Sequence, residues 1–231
     1  TEHARRYLIN EGIKPETIFK TGSHMYEVLN FYKEKINRSN ILSELELKKN
    51  AYFLVSLHRE ENVDDEANLS CLIDSLNQVA KKYNLPVIVS THPRTRKRLD
   101  NHSKKKLNKN ILFLKPFGFF DFIQLQINSK CVISDSGTIT EESSILGFPA
   151  ITIRNNHERP EGMDAGTLIM SGLKSENVID SIEITINQGV SSNSDLPEYK
   201  NKNVSNQIIK IVMSYIDYVN DYIWKKFNKS S

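Results

Sequence analysis

The chain has 231 residues, of which 39% are hydrophobic and 26% are charged, and its formal net charge is +3. This composition is ordinary for a globular protein with ample surface to bury, and the small net charge indicates no large electrostatic commitment to a partner. No apolar stretch approaches the roughly 20 residues that cross a bilayer, and no secretory signal opens the chain. We therefore expect no membrane partner and a cytoplasmic location.

The first 40 residues predict two helices separated by a short strand. Residues 1–12 show helical spacing and end at a glycine, which is typical of a C-cap. Residues 18–22 predict the strand and residues 25–35 the second helix. A polar break at 37–40 follows, and we place a domain boundary near residue 40. Because the chain lacks an initiator methionine and opens in mid-helix, we expect it to be a piece of a longer protein.

Strands and helices alternate regularly after this boundary. The apolar run at 51–57 is continuous, as expected for a strand that is covered on both faces. The alternation predicts an α/β fold with a doubly wound parallel sheet. The predicted strands are 51–57, 85–90, 111–114, 131–134 and 149–153, the predicted helices between them are 65–83, 122–127 and 138–146, and a loop at 187–199 precedes a long helix at 203–227.

Two further features predict nothing beyond packing and solvation. Cys71 and Cys131 lie in apolar surroundings and are expected in the core rather than in a disulfide. The basic run 94–109 contains no interleaved aromatic residues for base stacking. A solvated helix and loop is therefore favoured there over a nucleic-acid partner.

The strand at 131–134 leads into a helix through the sequence Ser-Asp-Ser-Gly. Free N–H groups and the helix dipole favour an anion there, and Gly137 would let a phosphate approach the backbone. A capping box from Thr138 to Glu141 would explain Glu141 without any ligand. It would not explain Glu142, which leans toward the buried side of the helix and could accept hydrogen bonds from a ribose diol or form a structural salt bridge.

A second polar cluster follows the predicted strand at 51–57, and a weaker counterpart follows the next strand. His58 and Arg59 come directly after the strand at 51–57, where such a pair could hold a leaving phosphate or donate a proton to it. His92 occupies the corresponding place after the next strand, with a weaker signal. Since ligands of open parallel α/β sheets bind at the carboxyl ends of the strands, these clusters are expected to converge.

The third cluster is the segment 153–167, in which Arg154 and Arg159 bracket a His-Glu pair. Such a loop could clamp a diphosphate bidentately, or it could be a solvated hairpin. Glu161 follows as a further candidate. No zinc, dinucleotide or nucleophile-elbow motif occurs in the sequence, so no metal is expected.

Together these motifs resemble a known enzyme family. "HREEN" after one strand, "SDSGTITEE" after another, and "ERPE" followed by "AGT" resemble the non-hydrolysing UDP-N-acetylglucosamine 2-epimerase family, in matching order along nearly the whole chain. The variants "HERPEGMD" and "TGSHMYEVLN" look closest to the branch that makes UDP-N-acetyl-L-fucosamine for bacterial capsules and O-antigens. The substrate of that branch is a UDP-2-acetamido-2,6-dideoxy-L-talose.

The resemblance implies two Rossmann-like domains in a GT-B arrangement. Residues 1–40 would be the end of the N-terminal domain and a connector, 41–200 the UDP-binding C-terminal domain, and 201–231 a helix that crosses back. It also implies a homodimer of the full-length protein, UDP and a UDP-2-acetamido sugar as binding partners, and no cofactor.

The resemblance also assigns roles to single residues. Ser136, Gly137 and Thr138 would bind the diphosphate, although the family commonly has a second glycine where this chain has Thr138. Glu142 would take the ribose hydroxyls and Phe122 would lie near the uracil. His58, as the catalytic candidate, and Arg159 would contact the phosphates and ease the departure of UDP. Arg59, His92, Arg154 and Glu161 are further candidates.

The implied reaction removes the C2 proton with elimination of UDP, and UDP then adds back as the proton returns on the opposite face. The carboxylates and a lysine at the sugar would come largely from the missing N-terminal part. We therefore expect this chain to bind UDP and to turn over poorly. Three alternatives stay open, namely a GT-B glycosyltransferase, a hydrolysing 2-epimerase and a non-catalytic nucleotide-sugar-binding domain.

Overall fold

The computed structural model of the chain describes residues 1–57, 59, 62, 64–91, 96, 98, 106–156, 159–189 and 196–226. It comprises two compact units, one formed by Thr1–Asn30 with Pro197–Ser231 and the other by Phe31–Leu196. The assignment of residues 1–40 and 201–231 to a neighbouring domain stays a prediction. No helix within the described ranges is both long enough and apolar enough to span a bilayer.

The larger unit contains one sheet of six parallel strands in the order β3-β2-β1-β4-β5-β6. The chain starts in the middle of the sheet, builds outward to one side and then returns to build the other side. The strand order therefore reverses between β1 and β4, and a crevice is expected at their carboxyl ends. The strands are β1 Phe53–Leu57, β2 Val87–Thr91, β3 Ile111–Leu114, β4 Cys131–Ser134, β5 Ala150–Thr152 and β6 Ile169–Met170.

Helices cover both faces of this sheet, which explains why its central strands are apolar at nearly every position. Alternate residues of β1 point to opposite sides, so Val55 joins one buried cluster and Leu54 the other. The first cluster is completed by α5 and α9, and the second by α4, α6 and α7. The helices of this unit are α3 Lys33–Asn37, α4 Ile41–Glu44, α5 Glu66–Tyr83, α6 Phe119–Asn128, α7 Ile139–Leu146, α8 Pro160–Asp164 and α9 Ser175–Gln188.

The sequence-based prediction of this α/β sheet is confirmed. All five predicted strands are present, shifted by no more than two residues, and Asp65 caps α5 by accepting a hydrogen bond from the backbone N of Asn68 at 2.8 Å. Four elements of this unit were not predicted, namely α4, α8, β6 and α9. The helices α4 and α8 have four and five residues and β6 has two, too few for a pattern. By contrast, α9 has a helical stripe of buried Val178, Ile179 and Ile182 that indicates a helix.

Two smaller expectations were wrong. Cys71 is exposed on α5, while Cys131 is buried, and its burial raises the pKa of its thiol to about 12. The predicted helix 25–35 breaks at Tyr32, whose φ of −96° and ψ of 7° leave the helical range, so that α2 (Met25–Phe31) and α3 are separate helices.

The smaller unit is held together around Glu198. Its backbone oxygen accepts a hydrogen bond from the backbone N of Ser23 at 2.8 Å, and its carboxylate accepts one from the backbone N of Glu2 at 2.8 Å. The predicted strand 18–22 is wrong, because this segment pairs with no described strand and Gly22, at φ +78°, turns the chain toward Glu198. The helices here are α1 Glu2–Asn10, most of α2 and α10 Val204–Tyr218, which continues as a π-helical turn at Val219–Ile223.

Candidate functional site

The turn between β4 and α7 is closed by its own hydroxyl groups. The backbone N of Ser136 donates to the Ser134 hydroxyl at 3.0 Å, and the Ser136 and Thr138 hydroxyls lie 2.9 Å apart. Because Thr138 is engaged in this way, its side chain makes no capping hydrogen bond to α7, and the predicted capping box does not form. The α7 N-terminus thus lies at the carboxyl edge of the sheet, where an anion would meet its free N–H groups.

Asp135 connects this turn to the segment that follows β1. Its side chain is fully buried, and one carboxylate oxygen accepts hydrogen bonds from the backbone N of Arg59 at 3.0 Å and from the Asn62 side-chain amide at 3.2 Å. A buried carboxylate that bonds two donors from another segment fixes that segment strongly. Asp135 therefore holds the backbone after β1 against the Ser136 turn. The Ser-Asp-Ser-Gly sequence does not by itself indicate this role, because the partners of Asp135 lie more than 70 residues away in the chain.

Two arginine side chains approach the same turn from the segment after β5. A Cβ atom added at Gly137 would lie 2.6 Å from Nη1 of Arg159 and 3.9 Å from Nη1 of Arg154. Arg154 is 4% exposed, so its positive charge is buried beneath the turn. The absence of a side chain at Gly137 is what allows the Arg159 guanidinium to come this close to its backbone, whereas Arg154 would be only in ordinary contact with an added Cβ.

Arg159 is held in place by Glu141. Its Nε lies 3.0 Å from Oε2 of Glu141, and the side chains of Arg159 and Glu141 are 30% and 10% exposed. This pair uses the Nε side of the guanidinium and leaves Nη1 facing Gly137. The structural salt bridge that was considered for Glu142 therefore exists at its neighbour.

Glu142 lies one turn into α7 and is 8% exposed. Its Oε2 accepts a hydrogen bond from Nε2 of Gln126 at 2.6 Å. Burial raises the pKa of Glu142 above its ordinary value, an effect opposed by the hydrogen bonds from Gln126 and Thr138, strengthened by the Glu141 charge and opposed by Arg159. The predicted buried orientation of Glu142 is therefore confirmed. No residue in the described part of the chain forms an ion pair with its carboxylate, so the alternative of a structural salt bridge is not confirmed.

The space around these groups has two parts. A cavity of about 10 Å³, lined in part by Gly137, Arg154 and Arg159, lies directly at the turn. A larger cavity of about 850 Å³ lies at the carboxyl ends of β2 and β3 and is lined by Thr91, Arg96, Phe113, Leu114, Lys115 and Pro116. Its volume is in the range of small-molecule sites. Because β1 lies between β2 and β4, the carboxyl end of β2 is two strand spacings, about 10 Å, from that of β4.

The remaining predicted residues have mixed outcomes. Phe122 is half-buried on α6 and packs against the second core cluster, and Glu161 is buried in α8. Arg59 lies at the edge through its backbone bond to Asp135. The predicted residues His58 and His92 lie outside the described residues. Within the described ranges, no group of three His, Cys, Asp or Glu side chains could hold a metal ion.

A parallel sheet of this strand order, with two guanidinium groups beside its switch point, defines a Rossmann-like α/β protein. Residues 1–213 match the family model described as UDP-N-acetylglucosamine 2-epimerase. The chain belongs to this family.

Individual relatives support this membership. The chain is 34% identical over 195 residues to a UDP-N-acetylglucosamine 2-epimerase of Methanocaldococcus jannaschii, covering 81% of this chain and 53% of that protein. Among solved structures, the Rickettsia bellii UDP-N-acetylglucosamine 2-epimerase has a TM-score of 0.89 and 48% identity over 97% of this chain and 60% of its own. The M. jannaschii enzyme in complex with UDP-GlcNAc and UDP has a TM-score of 0.83 and 32% identity over 93% of this chain and 59% of its own. The chain spans about half the length of the curated relatives it matches.

The packing of α8 against α7 can be tested directly by a stability measurement. A Cβ atom at Gly162 would overlap the Cγ2 methyl group of Thr140. In an exposed helix, Gly→Ala gains about 1 kcal/mol, but overpacking a buried contact costs about 1–3 kcal/mol. We expect Gly162→Ala to lower the free energy of unfolding measured in urea. Adding Thr140→Ser, which removes that methyl group, should restore most of the loss.

Gly118→Ala is the matched control for this experiment, because the nearest atom to an added Cβ there is Oδ2 of Asp121 at 4.0 Å. Because Gly118 is the N-cap of α6, where glycine is preferred to alanine, this variant should lose less than about 1 kcal/mol. Equal stability of Gly162→Ala and the parent chain would contradict the close packing of the two helices.

Proposed function

We propose that this chain carries the UDP-binding half of a UDP-sugar 2-epimerase that inverts C2 of a UDP-2-acetamido sugar. The observation that supports this most directly is the approach of the Arg154 and Arg159 guanidinium groups to the glycine turn at the N-terminus of α7. Backbone N–H groups, a helix dipole and two fixed cations are together suited to a diphosphate. The co-crystallised ligands of the M. jannaschii relative, UDP-GlcNAc and UDP, have this chemistry.

In this proposal the nucleotide runs along the carboxyl edge of the sheet. The diphosphate lies on Ser136, Gly137 and Thr138, with Arg159 above it, and the ribose hydroxyls donate to Glu142. The uracil lies toward Phe122 and the cavity at the ends of β2 and β3, whose Leu114 and Pro116 supply apolar lining. His58, beside the Arg59 backbone that Asp135 holds, contacts the phosphates.

In the proposed reaction, negative charge develops on the diphosphate, which is the group that this chain binds. When the C2 proton is removed and the C1–O bond breaks, the departing UDP gains negative charge. Cations and N–H groups that are already fixed around the diphosphate stabilise this charge without reorganisation. UDP then adds back as the proton returns on the opposite face, which inverts C2. In this proposal the carboxylate base that removes the C2 proton is not one of the residues of this chain.

The identity of the sugar is a finer proposal. The "HERPEGMD" segment supports UDP-2-acetamido-2,6-dideoxy-L-talose and a role in capsule or O-antigen synthesis. A Pseudomonas aeruginosa relative, 26% identical over 191 residues, is named UDP-2,3-diacetamido-2,3-dideoxy-D-glucuronate 2-epimerase, so relatives of this chain differ in their named sugars. Cytoplasmic location and a homodimer of the full-length protein belong to the same proposal.

Calorimetry together with an exchange assay tests the function of this chain. We expect the chain to bind UDP more tightly than UMP, and UMP more tightly than uridine, because each phosphate adds charge-assisted contacts. With UDP-GlcNAc in D2O, proton NMR should show little deuterium at C2 if the base lies outside this chain. Failure to bind UDP would refute the nucleotide site, and exchange at a full-length enzyme's rate would refute the placement of the base.

A further inference from the structure

Gln126 is a polar residue at a buried, otherwise apolar position. It lies on α6 beside Ile123 and Leu125, is 1% exposed, and donates through Nε2 to the Glu142 carboxylate on α7. Its Oε1 is buried and has no hydrogen-bond partner in the described part of the chain. A methionine or leucine would fill the same volume without leaving a buried oxygen unpaired, which carries a real free-energy cost. Packing alone therefore does not explain a glutamine here.

In this hydrogen bond the Gln126 amide is the donor and the Glu142 carboxylate is the acceptor. An ionised carboxylate only accepts hydrogen bonds, so the amide nitrogen must face it. The donor–acceptor distance of 2.6 Å is short, as expected for a hydrogen bond to a charged group. Because the two side chains come from different helices, this bond fixes the carboxylate against the body of the domain and not only against its own helix.

We propose that Gln126 is a positioning residue, whose amide fixes the Glu142 carboxylate in the ionised state and orientation that accept the ribose hydroxyls of the nucleotide. This inference rests on the proposed function, since it requires a ribose at Glu142. The bond to Gln126 occupies Oε2 and leaves the lone pairs of Oε1 and the second lone pair of Oε2 for other donors, such as the Thr138 hydroxyl and the ribose.

The proposal predicts a particular pH dependence. The charged and hydrogen-bonding groups that face the Glu142 carboxyl are Glu141 and Thr138 on its own segment, Gln126 on α6 and Arg159 before α8. Burial already raises the pKa of this carboxyl, and Gln126 opposes that effect. Without the amide, the carboxyl should take up a proton at higher pH and lose its value as an acceptor.

The test compares Gln126→Met with the parent chain by calorimetry across pH 5.5–8.5, using UDP and 2′,3′-dideoxyuridine diphosphate as ligands. We expect Gln126→Met to weaken UDP binding about tenfold at neutral pH, with a larger loss as the pH falls. Binding of the dideoxy ligand should not change, because it lacks the hydroxyls that Glu142 would accept. Gln124→Met, which alters a half-buried glutamine of the same helix, is the matched control and should behave like the parent chain.

A second variant keeps the test decisive if Gln126→Met folds poorly. In Gln126→Glu the new acid donates to Glu142 only while it is protonated, so UDP binding should be retained at low pH and lost as the pH rises. Unchanged UDP affinity in both variants, or equal loss for both ligands, would overturn the positioning role. A parent chain that binds neither ligand would instead overturn the proposed function itself.

Discussion

Replacing Arg159 with alanine is expected to weaken UDP binding by about 10- to 100-fold, the range for losing hydrogen bonds to a charged group. The Nε side of the guanidinium is held by Glu141 and Nη1 faces Gly137, so the cation is fixed before a ligand arrives. A preorganised cation costs little entropy on binding, which makes its contribution large. Uridine, which has no phosphate, should bind the variant and the parent chain equally.

The shape of the Arg159 side chain matters as well as its charge, because the guanidinium lies between Glu141 and Gly137. Arg159→Lys should recover only part of the affinity, because an ammonium cannot make the paired contacts of a guanidinium. Arg38→Ala is the control, since Arg38 forms an exposed pair with Glu34 on α3. Equal losses for UDP and uridine would show that Arg159 acts through folding instead.

Replacing Glu142 with glutamine is expected to stabilise the fold at neutral pH while weakening UDP binding about tenfold. Burial raises the pKa of Glu142 above its ordinary value of 4.5, so the folded chain holds this proton more tightly than the unfolded chain does. The stabilising contribution of the Glu142 carboxyl is fully present below its pKa in the unfolded chain. It is lost as the pH rises through its pKa in the folded chain. At neutral pH the buried charge therefore destabilises the domain.

The measurement is a series of thermal unfolding curves for Glu142→Gln and the parent chain from pH 4.5 to pH 8.5. The two midpoints should lie closest at the acid end, and the variant should gain as the pH rises, by about 2–4 °C for each kcal/mol at this chain length. Glu44→Gln, at an exposed position of α4, controls for loss of a surface charge. A constant difference across this range would mean that burial of the Glu142 charge is not what destabilises the fold.

Higher stability and weaker UDP binding of Glu142→Gln would together show that Glu142 serves binding at a cost in stability. Proteins commonly accept such a cost at functional sites, where a buried charge is useful only once the ligand is present. A variant that gained stability and lost no UDP affinity would argue against a ribose contact.

Much of the fold was encoded locally and could be predicted. The apolar run at 51–57 predicted β1, and the small polar residues after β4 predicted the turn into α7, each from a few neighbouring residues. The strand–helix alternation then predicted the parallel sheet and the edge at which ligands bind. The prediction failed at β6, because two residues are too few to show a pattern. It also failed at 18–22, because this segment has no partner strand among the described residues.

The sequence by itself determined that small hydroxyl residues, a glycine, two adjacent glutamates and an arginine-rich loop would meet at one edge of the sheet. Only the tertiary structure decided which glutamate pairs with Arg159, that Asp135 holds the segment after β1, and that Gln126 reaches Glu142. Local periodicity cannot specify these contacts, because each joins elements whose relative register is set by packing. The close approach of Gly162 on α8 to Thr140 on α7 is another such packing contact.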